Sequence, residues 1–115
     1  MMKFKSKEQK GVTVIALEGN VIGGPDATVL NDQLHGLIDG KKTKVVVDLS
    51  SVDFINSSGL GLLIGGLTTM RKAGGELKLA GASKKIQNLL EITKLHKVFD
   101  IHKTVNDAVT AFHSS

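Results

Sequence analysis

The stretch that most restricts the fold is Val45 to Gly66, VVVDLSSVDFINSSGLGLLIGG. Val45, Val46, Val47 and Leu49 form an apolar run broken only by Asp48, the pattern of a strand covered on both faces, usually within a parallel sheet. The period then changes. Leu60, Leu63, Ile64 and Leu67 fall at i, i+3, i+4 and i+7, which draws one apolar stripe down a helix. Between strand and helix lies a polar turn centred on Asn56-Ser57-Ser58-Gly59-Leu60-Gly61, with Asp48 ending the strand before it. Ser57 or Ser58 can accept amide hydrogens that the helix start leaves unpaired. A serine there also sits at the positive end of a helix dipole, where negative charge is tolerated.

The flanking segments continue the alternation. Lys3, Lys5 and Lys7 alternate with Phe4 and Ser6, and Val12 to Glu18 is a second strand, with Gly11 in the hairpin turn between them. Lysines on one face of the first strand suit an exposed sheet edge, where they discourage pairing with another chain; the less favoured reading is a basic binding face. Asn20 to Asp26 is a loop with two glycines before the only proline, and Pro25 suits the first turn of a helix. Val29, Leu30, Leu34, Leu37 and Ile38 mark the apolar face of that helix, and Gly40 closes it. Gly61, Gly65 and Gly66 in the next helix cost about 1 kcal/mol each relative to alanine, so close packing on the sheet or on a partner must favour them. Ala73-Gly74-Gly75 ends that helix, and Glu76 to Ala80 gives another strand. Ser83 caps a helix carrying Ile86, Leu89, Leu90 and Ile92, and Lys97 to His102 gives a short strand. Thr104 caps a last helix with Val105, Ala108, Val109 and Phe112 inward. The order β-β-α-β-α-β-α-β-α predicts one α/β domain over residues 1–115, built on a mixed sheet that is mostly parallel after the first hairpin.

Composition narrows the function classes. At 115 residues the chain has room for a single hydrophobic core. Its longest apolar stretch, Gly59 to Leu67, is far shorter than the ~20 residues a membrane-spanning helix needs. Met1 to Lys10 is rich in lysine and lacks an apolar core, so no secretory leader is expected there. The absence of cysteine excludes disulfides, thiolate zinc sites and thiol chemistry. A net charge of +4 raises the question of nucleic acid, but the lysines are scattered, Arg71 is the only arginine and 4 phenylalanines are the whole aromatic supply for stacking. The same mildly basic surface could steer an acidic protein partner.

Catalytic constellations are sparse. His35, His96, His102 and His113 show no i, i+3 or i+4 spacing, so no metal site is expected. No G-x-S-x-G elbow surrounds Ser57, and no P-loop lysine follows Gly23-Gly24, which argues against a hydrolase and against a nucleotide-binding phosphotransfer enzyme. Asp48 and Asp53 could bring carboxylates toward the serine pair for a magnesium ion or a hydroxyl; the favoured reading is structural, with Asp48 accepting backbone amides and Asp53 solvated.

The segment VVVDLSSVDFINSSGLGLLIGGL resembles the signature of the STAS family, whose small bacterial members are anti-sigma factor antagonists. Strand order, the glycine-bearing loop before the first helix, the AGGELKLAG turn and strand and the terminal helix extend the resemblance over essentially all 115 residues. The usual wording in that family is an aspartate, a phosphorylatable serine or threonine, then Ser-Gly-Leu-Gly. Here Asn56 stands where the aspartate is usual, Ser57 at the phosphoacceptor position, and Ser58-Gly59-Leu60-Gly61 follows. The resemblance implies a cytoplasmic regulator that is not an enzyme and needs no cofactor. Unmodified, it binds an anti-sigma factor that is also a serine-protein kinase and so frees a sigma factor; phosphorylation of Ser57 switches it off, and a phosphatase restores it. The resemblance also places Gly23, Gly24 and Asp26 with Asn56 to Gly61 on the partner-binding face. Asn56 keeps the hydrogen-bonding capacity of an acid while removing a charge from that face. A second role open to the family is a STAS subunit of a lipid-transport or stress-signalling complex, docking by the same helix face without phosphorylation.

Overall fold

The apolar run at Val45 forms the middle strand of a five-stranded sheet ordered β1-β2-β3-β4-β5. The protein is described here from a computed structural model covering residues 3–113; Met1 and Met2, the start of the expected lysine-rich segment, and Ser114 and Ser115 lie outside the described residues. Strand β1 (Lys3–Gln9) pairs antiparallel with β2 (Val12–Val21) across a turn in which Lys10 and Gly11 both have positive φ. Two such residues in succession give the turn the twist that a tight hairpin requires. Strands β2, β3 (Lys44–Ile55), β4 (Glu76–Ala80) and β5 (Asp100–His102) are parallel to one another.

Helices α1 (Pro25–Asp39), α2 (Ser57–Lys72) and α3 (Lys84–Ile92) connect the parallel strands in turn. Crossovers of one hand between strands laid down in sequential order place their helices on one face of the sheet. On that face Val45, Val47 and Leu49 of β3 meet Leu30 and Leu34 of α1, Leu63, Leu67 and Met70 of α2, and Ile86 and Leu90 of α3. The alternate residue Val46 turns the other way and packs with Val12, Val14, Ala80, Ala108 and Val109 against α4 (Val105–His113). The period-2 alternation of β3 thus serves two cores, which is why its apolar run is continuous.

Several boundaries differ from the sequence expectation. Strand β3 continues through Ser50, Ser51 and Asp53 to Ile55, so Asp48 lies within the strand and does not end it. Register shifts in the β2–β3 ladder let polar residues pass without losing the pairing. The loop before α1 is shorter than Asn20 to Asp26, because β2 runs to Val21 and α1 begins at Pro25. The expected strand from Lys97 to His102 shrinks to Asp100–His102, preceded by a 3₁₀ turn at Leu95–Lys97. On the helices, Val29, Ile64 and Ile92 are exposed while Leu62 is buried.

Candidate partner-docking site

The polar turn becomes a helix start through Asn56. Its backbone is extended (φ −98°, ψ −177°), and its side-chain oxygen accepts the Gly59 N–H at 2.8 Å. The carbonyl of Asn56 takes the next amide, from Leu60, at 2.9 Å. Capping was expected from Ser57 or Ser58; Asn56 performs it instead, because it alone sits one position before the first helical residue. Both serines are consequently exposed in the first turn, with hydroxyls not committed to the cap. Amides at that point precede the first intrahelical bond and present positive partial charge outward.

Two glycines let the helix start sit close to the end of β2. A side-chain carbon at Gly59 would lie 1.9 Å from the Val21 carbonyl oxygen, so no other residue fits without moving the helix. The same carbonyl accepts the Asn56 N–H at 3.3 Å. Gly23, with φ +77°, packs so tightly on Ser58 that an added carbon would meet the Ser58 Cβ at 2.8 Å. The glycine loop and the serine motif, far apart in sequence, are thus in direct contact.

Not every residue expected on the docking face is available there. Ser57, Ser58, Gly61 and Gly24 are exposed, and Asn56 is half-buried. Gly59 and Leu60 are buried and support the helix from within. Asp26, in the first turn of α1, is only 7% exposed, which leaves little of it to meet an outside surface. A shallow groove of about 390 Å³ runs between α1 and α2, touching Thr28, Asn31, Ser58, Gly61 and Gly65. A second of similar size lies beside α3, lined by Phe54, Lys85, Leu89 and Ile92. The residues of this second groove were not singled out as a site by the sequence. Its signal, a phenylalanine three residues before the serines, was legible only once β3 was known to extend that far.

Asp48 stands away from the serines. Asp48 lies roughly 25 Å along β3 from Ser57 at a strand rise of about 3.3 Å per residue. Its Oδ1 accepts the Ser50 N–H at 3.0 Å and the Ser50 hydroxyl at 2.6 Å, so it ties two residues of one strand together, a local role in a strand and not in a turn. Asp53 is exposed. Two histidines make structural contacts: His113 Nε2 lies 2.7 Å from the Lys10 carbonyl oxygen, across 103 residues, and His96 Nδ1 lies 3.4 Å from that of Leu90. No helix among the described residues is long and apolar enough to cross a membrane.

This arrangement agrees with known proteins. The STAS domain family model matches residues 3–108. The anti-sigma-B factor antagonist of Bacillus subtilis is 32% identical over 88 residues, covering 74% of this chain and 80% of that protein. An anti-sigma factor antagonist from Mycobacterium paratuberculosis superposes with a TM-score of 0.80 at 24% identity, covering 96% of this chain and 93% of that one. The anti-sigma factor antagonist SpoIIAA in its unphosphorylated form superposes at 0.72 with 17% identity, over 98% of this chain and 100% of that one, and the phosphorylated Bacillus SpoIIAA at 0.71 with 18% identity, over 96% and 99%. The chain belongs to the STAS domain family and is similar to its anti-sigma factor antagonists over most of its length.

Proposed function

We propose that this protein is an anti-sigma factor antagonist whose switch is Ser57. The observation that carries the reading is the exposed Ser57 in the first turn of α2, left free of capping duty by Asn56. Unmodified, the face around Ser57, Ser58 and Gly61 docks on a cytoplasmic anti-sigma factor that is also a serine kinase, and a sigma factor is released. The protein acts by binding; catalysis belongs to the kinase and to the phosphatase that reverses it.

A phosphate on Ser57 adds about −1.5 to −2 charges at neutral pH. The helix start stabilises that charge within the chain, so the fold need not change. Likeness to both forms of SpoIIAA, at TM-scores of 0.72 and 0.71, supports one fold carrying either state. A partner surface shaped for a neutral hydroxyl must desolvate or repel the phosphate. A penalty of ~3 kcal/mol weakens binding more than a hundredfold.

The test is incubation with ATP and an anti-sigma kinase from the same host, followed by intact-mass measurement. We expect one phosphate on the wild type and none on Ser57→Ala. An unmodified wild type that still binds would favour the second role, a docking subunit of a lipid-transport or stress-signalling complex, to which the groove beside Ser58, Gly61 and Gly65 is equally open.

A further inference from the structure

The sheet face opposite α1 to α3 is only partly covered. Helix α4 has 9 residues, a length of about 13 Å, and five strands about 4.8 Å apart span roughly 19 Å between the outermost axes. It packs over Val12, Val14, Val46 and Ala80 and meets the end of β1 at Gln9, which donates to Asn106 Oδ1 at 2.7 Å, leaving the Lys5–Lys7 stretch of β1 open. There a cleft of about 370 Å³ has an apolar floor of Val14, Ala16 and Val105 and a rim of Lys5 and Lys7. Neither lysine forms an ion pair among the described residues, whereas Glu8 on the opposite face of β1 is held by Lys42. At the inner end Asp48 is engaged by Ser50.

Strand β1 is also an edge. All seven of its residues pair with β2 on one side, and the sheet order leaves the other side unpaired. Every second residue therefore turns its N–H and C=O outward, ready to accept another strand.

We propose that this edge and the cleft beside it receive an acidic, extended segment of a protein partner by strand addition. Charge complementarity selects the occupant. Lys3, Lys5 and Lys7 repeat at the two-residue period of a strand, so a paired segment with carboxylates at alternate positions would set one opposite each lysine. A second copy of this chain would set lysine against lysine, which disfavours it. Asp48 at the inner end repels a carboxylate that enters deeply, so the acids stay on the rim beside Lys5 and Lys7, while the alternate apolar side chains of the partner turn to the other face, beside Phe4 and Ser6. The surface is separate from the Ser57 face, so one molecule can hold two partners.

The test is an ¹⁵N NMR titration of the full chain with acetyl-Glu-Val-Glu-Val-Glu-Val-Glu-amide, and with the same peptide carrying proline at each valine position. Proline keeps the charge and removes the strand's hydrogen-bond donors. We expect shifts and slowed amide exchange along Phe4 to Glu8, with shifts at Ala16 and Val105, for the valine peptide alone. The double variant Lys5→Glu/Lys7→Glu, checked as folded by its thermal melt, should bind at least tenfold more weakly, and Ser57→Asp should bind unchanged. Equal binding of the proline peptide, shifts confined to the α1–α2 face, an unaffected double variant, or no shifts at millimolar peptide would each overturn the proposal.

Discussion

Asn56 decides what the two serines are free to do. Its amide oxygen closes the Gly59 N–H, so Asn56→Ala should lower stability by about 1 kcal/mol in a denaturant titration, while Asn56→Asp should retain the cap and gain a few tenths from the helix dipole. An aspartate at that point would lie beside a phosphorylated Ser57, and the neutral amide spares the chain that repulsion. The neighbouring glycines separate by the same logic. Gly59→Ala forces a carbon against the Val21 carbonyl and should destabilise by several kcal/mol, whereas Gly61 has nothing within 4 Å of the added carbon, and Gly61→Ala should stabilise by about 0.5–1 kcal/mol in the same titration. A carbon added at Gly66 would lie 3.2 Å from Leu34 Cδ1, so it, too, serves the fold. Gly61 and Gly65 have nothing within 4 Å of an added carbon, in keeping with the docking face proposed for α2. Sequence periodicity located all of these residues but could not rank them. The distinction between a capping asparagine and a capping serine is a shift of one position, set by where β3 stops.

Among the elements, the central strand and the helix after it were legible because their periods differ so sharply, 2 against 3.6. Their limits were not. The i, i+3, i+4, i+7 stripe chose Ile64 over Leu62, yet α2 is flanked by α1 as well as by the sheet, and the broader buried arc takes in Leu62 and leaves Ile64 at 37% exposure. Helix α3 repeats the error: Ile92, at its last turn, is 80% exposed. Truncations should report this contrast. Leu63→Ala is expected to cost 2–5 kcal/mol, roughly the cost of a core cavity, and Ile92→Ala no more than about 0.5 kcal/mol, both by equilibrium unfolding. The shortening of the fifth strand has a local cause. Leu95–Lys97 coils into a 3₁₀ turn after Lys94 adopts a positive φ, and a short apolar run carries no signal of that reversal.

At the scale of the molecule, the sheet divides the protein into a face carrying the Ser57 site and a face partly covered by α4. Strand order and the mixed sheet followed from the alternation of elements in sequence, whereas the contact of Gly23 with Ser58 and the open cleft beside β1 depend on tertiary packing that no local pattern encodes. The α4 side also holds a carboxyl with a perturbed acidity. Asp100 is hydrogen-bonded by Lys78 and lies 3.0 Å from His102 Nε2; chiefly the Lys78 bond holds its carboxyl below the ordinary 3.8, with burial opposing. A lowered folded value means that the stability it contributes is complete above pH 3.8 and is lost as pH falls through that folded value. Asp100→Asn should therefore lower the thermal midpoint slightly at neutral pH and flatten the acid limb of a midpoint-against-pH series.

The reading of Ser57 as a charge switch rests on one comparison: calorimetric titration of the host's anti-sigma kinase into this protein, unmodified and phosphorylated at Ser57. Tight binding of the unmodified form and at least a hundredfold weaker binding of the phosphorylated form is the expected result. Equal affinity for the two forms would contradict it and leave the α2 face as a constitutive docking surface.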